Sequence, residues 1–210
     1  MLFLFALFST SITTAGPHTT TILVYGDSLS ANYGISTESG WVHLLKQRSQ
    51  ALSSSIQVIN SSISGETTTG GRSRIKQTLE QYRPDIIILG LGANDGLRGT
   101  SIKTIYKNLE AIIKICQQNS ISVLLVGMKL PPNYGMTYTQ KFQNIYSQLA
   151  QNLQTALVPF LLAGFEEKHE FFQADGIHPT ASAQATIADN VWQTLRTMIP
   201  DDIKASPDKN

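Results

Sequence analysis

The chain has 210 residues, 41% of them hydrophobic and 15% charged. At roughly 150 residues per domain this is one ordinary domain, able to bury about 70% of its unfolded surface without staples. Lys+Arg 16 against Asp+Glu 15 leave a net charge of +1 with no basic stripe, which speaks against nucleic acid as a partner; the single cysteine excludes an intramolecular disulfide and a cysteine-rich zinc site.

The start of the chain is lopsided. No Lys or Arg occurs before Lys46. Residues 1–8 read Met-Leu-Phe-Leu-Phe-Ala-Leu-Phe, followed by a small and polar run from Ser9 to Gly16. A membrane span takes ~20 apolar residues, so no stable span is expected here. The run fits a secretory signal peptide over residues 1–15, with Thr13-Thr14-Ala15 as a small-x-small cleavage site before Gly16. The basic start of such peptides is missing, so either the true start lies elsewhere or the signal is weak. The expected location is periplasmic or secreted, and a lone cysteine suits that oxidising setting. The domain is then 16–199, with 200–210 a polar, frayed tail.

From Thr20 onward strands and helices alternate. Thr20–Tyr25 (TTILVY) is a short apolar run ending in Gly26-Asp27-Ser28, a buried strand and a turn. A helix is predicted around Trp41–Gln50, a strand at Ile56–Asn60, and a helix at Arg72–Gln81 that stops before Pro84. Asp85–Leu91 (DIIILGL) is the clearest strand, rich in β-branched residues. Ser101–Asn119 is the clearest helix, with Ile102, Ile105, Leu109, Ile112 and Cys116 on one face. Ser122–Met128 and Ala156–Phe160 are further strands; Tyr138–Gln154 and Thr180–Met198 are further helices. Five alternations predict one α/β domain, a parallel sheet covered on both faces. Ligands of such sheets bind beyond the carboxyl ends of the strands.

Four polar segments stand at those positions: Gly26-Asp27-Ser28-Leu29-Ser30, Ser64-Gly65-Glu66-Thr67, Gly92-Ala93-Asn94-Asp95-Gly96 and Asp175-Gly176-Ile177-His178-Pro179. Singly, each reads as a turn or a helix start. Together and in this order the chain resembles the SGNH (GDSL) hydrolase family, whose Ser, Gly, Asn and His match Ser28, Gly65, Asn94 and His178. The resemblance covers about residues 20–199. It is nearest to the bacterial periplasmic thioesterase–lysophospholipase–arylesterase branch, through ILVYGDSLSANYG, INSSISGETT, LGLGANDGLRG, LPPNYG and DGIHP. It implies a flavodoxin-like three-layer α/β/α sandwich with a five-stranded parallel sheet.

Ester and thioester hydrolysis needs a nucleophile, a base, an orienting group and donors for the developing oxyanion. Ser28 is the candidate nucleophile and His178 the candidate base; His18, His43 and His169 fall outside the matching blocks. Asp175, three residues before His178, can reach the other ring nitrogen and fix the tautomer. By resemblance the oxyanion donors are the backbone N–H groups of Ser28 and Gly65 and the side-chain amide of Asn94. Glycine at 65 leaves room for close approach. Two loops, 96–100 and 130–135, are expected to shape acyl selectivity, with Leu97, Leu130 and Pro131 as candidate acyl contacts. Arg98 could meet an anionic head group, though a solvated loop arginine is the plainer reading.

Rival readings are weaker. The Gly-x-Ser-x-Gly elbow of standard α/β-hydrolases is absent around Ser28, as are the Gly-x-Gly-x-x-Gly and Gly-Lys-Ser/Thr phosphate loops. Cys116 lies mid-helix on the apolar face, where a small buried hydrophobe belongs. The histidines do not cluster at metal spacing, so neither metal nor cofactor is expected. The expected partner is a small acyl ester or thioester: a lysophospholipid, an acyl-CoA-like donor or an aryl ester. A carbohydrate O-acetylesterase on the same fold, or a non-catalytic binding module, is the alternative. A monomer is the default.

Overall fold

The computed structural model describes residues 19–204. The expected signal peptide lies outside the described residues. Five apolar runs form the strands β1 (Thr20–Gly26), β2 (Ile56–Asn60), β3 (Ile86–Gly90), β4 (Ser122–Val126) and β5 (Ala156–Val158). They pair in parallel, in the order β2-β1-β3-β4-β5. The central strands carry continuous apolar stretches at 22–25, 86–89 and 123–126 because both sheet faces are covered; Ile22, Leu23, Ile87 and Leu89 are fully buried.

The helices are α1 (Trp41–Leu52), α2 (Thr68–Tyr82), α3 (Ala93–Leu97), α4 (Ile102–Gln118), α5 (Met136–Leu153), α6 (Gln184–Met198) and a terminal turn, α7 (Asp201–Lys204). α1 packs beside α6 on one face of the sheet, and α2, α4 and α5 lie side by side on the other. This is the expected three-layer sandwich. α4 shows why the sequence reads so plainly: Ile105, Leu109, Ile112, Ile113 and Cys116 are all sealed in the core. Ser101 caps its start, accepting from the Thr104 N–H at 3.2 Å. Burial pushes the Cys116 thiol up to about 12, so it offers no thiolate near neutral pH.

Several boundaries differ from the sequence reading. α2 begins at Thr68 rather than Arg72, because Gly70 and Gly71 lie inside the helix. A side chain at Gly71 would collide with Leu91, so the glycine serves close packing rather than ending the helix. α5 starts at Met136 rather than Tyr138, and α6 at Gln184 after a 3-10 turn over Ala181–Ala183. Asn94-Asp95-Gly96 belongs to the short helix α3, not a bare turn. The start of the expected tail, Asp201–Lys204, is helical and closed by a 2.9 Å Lys204–Asp201 ion pair. No helix among the described residues is long and apolar enough to cross a membrane.

The strand order places a topological switch at the carboxyl ends of β1 and β3, since the chain leaves β1 for one side and returns to β3 on the other. Ser28 follows β1 and Asn94 follows β3.

Candidate active site

β1 runs out at Gly26, and the chain turns sharply at Asp27. The Asp27 carboxylate accepts the Leu29 N–H at 3.1 Å, and its carbonyl accepts from Ser30 and Ala31 at 3.1 and 2.9 Å. Asp27 is thereby drawn inside, to 2% exposure, while Ser28 is left half-buried at the rim. The Trp41 indole N–H donates to the Leu29 carbonyl at 3.0 Å and ties this turn to α1.

His178 approaches from the far end of the sequence. Its Nε2 lies 2.9 Å from Ser28 Oγ, and its Nδ1 lies 2.7 Å from Asp175 Oδ2. The Asp175 carboxylate also accepts the Ile177 and His178 backbone N–H groups at 2.9 and 3.0 Å. The three-residue spacing therefore works through a local turn in which one carboxylate fixes both backbone and ring. Gln173 staples this loop to the nucleophile loop: its Nε2 donates to the Tyr33 and Pro179 carbonyls at 2.8 and 3.1 Å. The exposed Tyr33 ring lies on the imidazole, with centroids 4.3 Å apart.

The donor side comes from the loops after β2 and β3. Asn94 Nδ2 donates to the Glu66 carbonyl at 3.0 Å and to Asp27 Oδ2 at 3.3 Å. Behind it, buried Asp95 accepts from the Thr68 N–H and hydroxyl, both at 2.7 Å, which fastens α3 to the start of α2. Gly65 sits at φ +78°, and a Cβ there would meet nothing within 4 Å. It needs glycine for its backbone, and the space above it is open.

The two acids near His178 are pushed in opposite directions. At Asp175 burial acts upward, but the hydrogen bonds from the His178 backbone and ring and from the Ile177 N–H outweigh it and bring the carboxyl down to about 2. At Asp27 burial dominates and raises the carboxyl to about 6, against the Leu29 N–H bond and the nearby imidazole. A serine hydroxyl, an imidazole and an ionised carboxylate in one chain can move a proton off oxygen and back.

The sequence pattern of the GDSL-like lipase/acylhydrolase family matches residues 24–186. The chain belongs to this family. It is 41% identical to the esterase TesA of Pseudomonas aeruginosa over 85% of this chain and 89% of that protein. It is 42% identical to an arylesterase of Vibrio mimicus, over 83% and 87%. The thioesterase 1/protease 1/lysophospholipase L1 of Escherichia coli is 37% identical over 87% and 86%. Among solved structures, a TesA crystal structure superposes with a TM-score of 0.83 at 41% identity, covering 86% of this chain and all of that one. The esterase EstA from Pseudoalteromonas, inhibited by monoethylphosphonate, gives 0.81 at 38% identity, covering 85% and 98%. As a member of this family the protein is a hydrolase acting on ester bonds.

The fold thus brings Ser28, Asp175 and His178 into hydrogen-bonded contact and sets Asn94 and Gly65 on either side of Glu66. Leu97 is half-buried and Pro131 exposed. Leu130 is not open to a ligand in this state: it is 9% exposed and packs under Gly96 beside Phe142. The 96–100 loop is tethered. Tyr134 and Tyr138 donate their hydroxyls to the Leu97 and Thr100 carbonyls at 3.1 and 2.6 Å. Arg98 turns toward the Gly65 carbonyl at 3.4 Å. His43 bonds Gln47, His169 lies exposed in a 3-10 turn, and His18 is outside the described residues. No group of three metal-ligating side chains occurs among the described residues. Sequence reasoning missed Asp27, Tyr33 and Gln173. Only Asp27 left a trace, as a carboxylate beside the nucleophile.

Proposed function

We propose that the protein is a serine esterase that cleaves carboxylic esters and thioesters of single acyl chains through an acyl-enzyme on Ser28. One observation carries the reading: Ser28 Oγ, His178 and Asp175 form a continuous chain at 2.9 and 2.7 Å. Ser28 Oγ attacks the acyl carbonyl carbon while its proton passes to His178 Nε2. The carbonyl oxygen becomes an oxyanion, met by the Ser28 and Gly65 N–H groups and the Asn94 amide. The intermediate collapses, the carbon–oxygen or carbon–sulfur bond breaks, and the leaving group takes the proton from His178. Water then attacks the acyl-enzyme with His178 as base, releasing the carboxylic acid and restoring the Ser28 hydroxyl. Asp175 remains ionised throughout, holding Nδ1–H toward itself.

The E. coli relative's name joins thioesterase and lysophospholipase, and the Vibrio relative's names arylesterase; this supports an acyl donor recognised mainly by its chain. Leu97 and Pro131 supply the apolar contacts, with Leu130 shaping the floor beneath them. Residues 1–15 act as an export signal, and the mature domain works in the periplasm or outside the cell as a monomer.

The test is a panel of p-nitrophenyl esters and acyl thioesters of graded chain length, run beside Ser28→Ala. Wild-type protein turns over both classes and is labelled at Ser28 by a fluorophosphonate. Ser28→Ala falls by about 10³-fold or more and is not labelled. A folded Ser28→Ala protein with wild-type turnover overturns the reading.

A further inference from the structure

We propose that Arg74 and Glu66 are positioning residues for the oxyanion donors, an inference that rests on reading Gly65 and Asn94 as those donors. Glu66 directly follows Gly65. Its carboxylate takes a 2.6 Å charge-assisted bond from Arg74 Nε, with the two side chains only 10% and 19% exposed. Neither charge takes part in the proton transfers above. Drawing two charges this far from water is costly unless their geometry is well satisfied, so an ion pair here calls for an explanation.

The guanidinium is fixed from several directions. Nη1 reaches Ser61 Oγ at 3.3 Å, just beyond the end of β2. The Cζ atom lies 3.9 Å from the centroid of the Tyr25 ring on β1. That ring is itself pinned, its hydroxyl donating to the Gly71 carbonyl at 2.7 Å. Arg74 is therefore held by β1, by the end of β2 and by its own helix α2. These are the three elements that frame the loop carrying Gly65.

The loop needs such a hold. Gly65 occupies a left-handed conformation with open space where a side chain would stand, so it has no side chain of its own to anchor it. Glu66 lies along the first turn of α2 where Gly70 has no side chain; a Cβ on Gly70 would collide with the Glu66 carboxylate. Holding the Glu66 side chain holds its Cα. That fixes Gly65 on one side and, on the other, the carbonyl that accepts the Asn94 amide at 3.0 Å. One ion pair thus governs two of the three donors, without touching substrate.

Donor placement matters in the transition state far more than in the bound substrate, and a misplacement of about 1 Å can cost on the order of 10²-fold in rate. Arg74→Met should therefore lower kcat by about 10- to 100-fold while KM changes less than about threefold. Glu66→Gln keeps the shape and a weaker acceptor for Arg74, and should lose about 3- to 10-fold in kcat. In an Asn94→Ala background the Arg74→Met loss should shrink without vanishing, because one of the two donors it serves is already gone and Gly65 remains. The measurement is steady-state kinetics on one p-nitrophenyl ester for the four variants and wild type, with thermal unfolding of each as a check on folding. The proposal is overturned if folded Arg74→Met keeps kcat within about twofold of wild type, or if its full loss recurs on top of Asn94→Ala. Should Arg74→Met fail to fold, Glu66→Gln, measured alone and as a fifth variant combined with Asn94→Ala, decides by the same two comparisons. Asn94→Ala alone with wild-type turnover overturns the donor reading instead, so the two failures are told apart.

Discussion

Two aspartates stand near one imidazole, and their ionisation links them to folding with opposite signs. Asp27 has a folded value of about 6 against the ordinary 3.8. Between those values the folded chain binds the proton and the unfolded chain does not, so Asp27 withdraws stability as pH rises through this window. Asp175, at about 2, does the reverse: its contribution is present above 3.8 and is lost as pH falls toward 2. Its side chain is 38% exposed, so solvent screens that contribution. Asp27→Asn cannot ionise. Urea unfolding should show the variant gaining roughly 3 kcal/mol on wild type between about pH 4 and about pH 7. A difference that does not change with pH would refute the assignment to Asp27. The sequence made Ser28, Asp175 and His178 legible because their spacing carries chemistry. It hid the part played by Asp27, whose buried carboxylate accepts from Asn94, 67 residues away.

Element boundaries were least legible where glycine serves packing. The predicted helix begins at Arg72, just after Gly70 and Gly71, yet both glycines lie inside α2, where the helix comes close to Leu91 and Glu66. The sequence predicts β4 to run on over Gly127 and Met128, two residues beyond its end at Val126. There the chain has left the strand, and a Gly127 side chain would collide with the Pro159 carbonyl. Asn-Asp-Gly predicts a turn where α3 stands, but the Asp95–Thr68 bonds and the core contact of Gly96 hold it helical. That contact is tight: a Cβ at Gly96 would stand 2.7 Å from Leu130 Cδ2 and 2.8 Å from Phe142 Cε2. Gly96→Ala should destabilise the protein by about 1–3 kcal/mol through overpacking. It should also reduce turnover, since α3 carries Asn94. Thermal unfolding and ester kinetics would check it; a variant equal to wild type in both would show that α3 shifts freely.

The whole molecule assembles its site from both ends of the chain. Ser28 and His178 are 150 residues apart, yet the sheet order sets the first of them at a switch point and the α1–α6 face carries the other to it. Alternating strands and helices made the layers readable. Strand order came with the family resemblance and is confirmed by the pairing, because local sequence does not say on which side of β1 a strand returns. Trp41 connects this assembly to the core: it is 1% exposed, its indole reaches the Leu29 carbonyl, and its backbone N–H donates to the Gln184 side chain at 3.1 Å. Loss of activity in urea and the red shift of Trp41 emission, read in a Trp192→Phe background, should therefore follow one transition. Activity lost well before the shift would mean that the site comes apart ahead of the core.

Gln173 reaches across 140 residues of sequence to the Tyr33 carbonyl and holds the Pro179 carbonyl with the same amide nitrogen. The nucleophile loop and the base loop are thereby tied to each other directly, so the Ser28–His178 separation is set by a bond between the loops as well as by the attachment of each to the sheet.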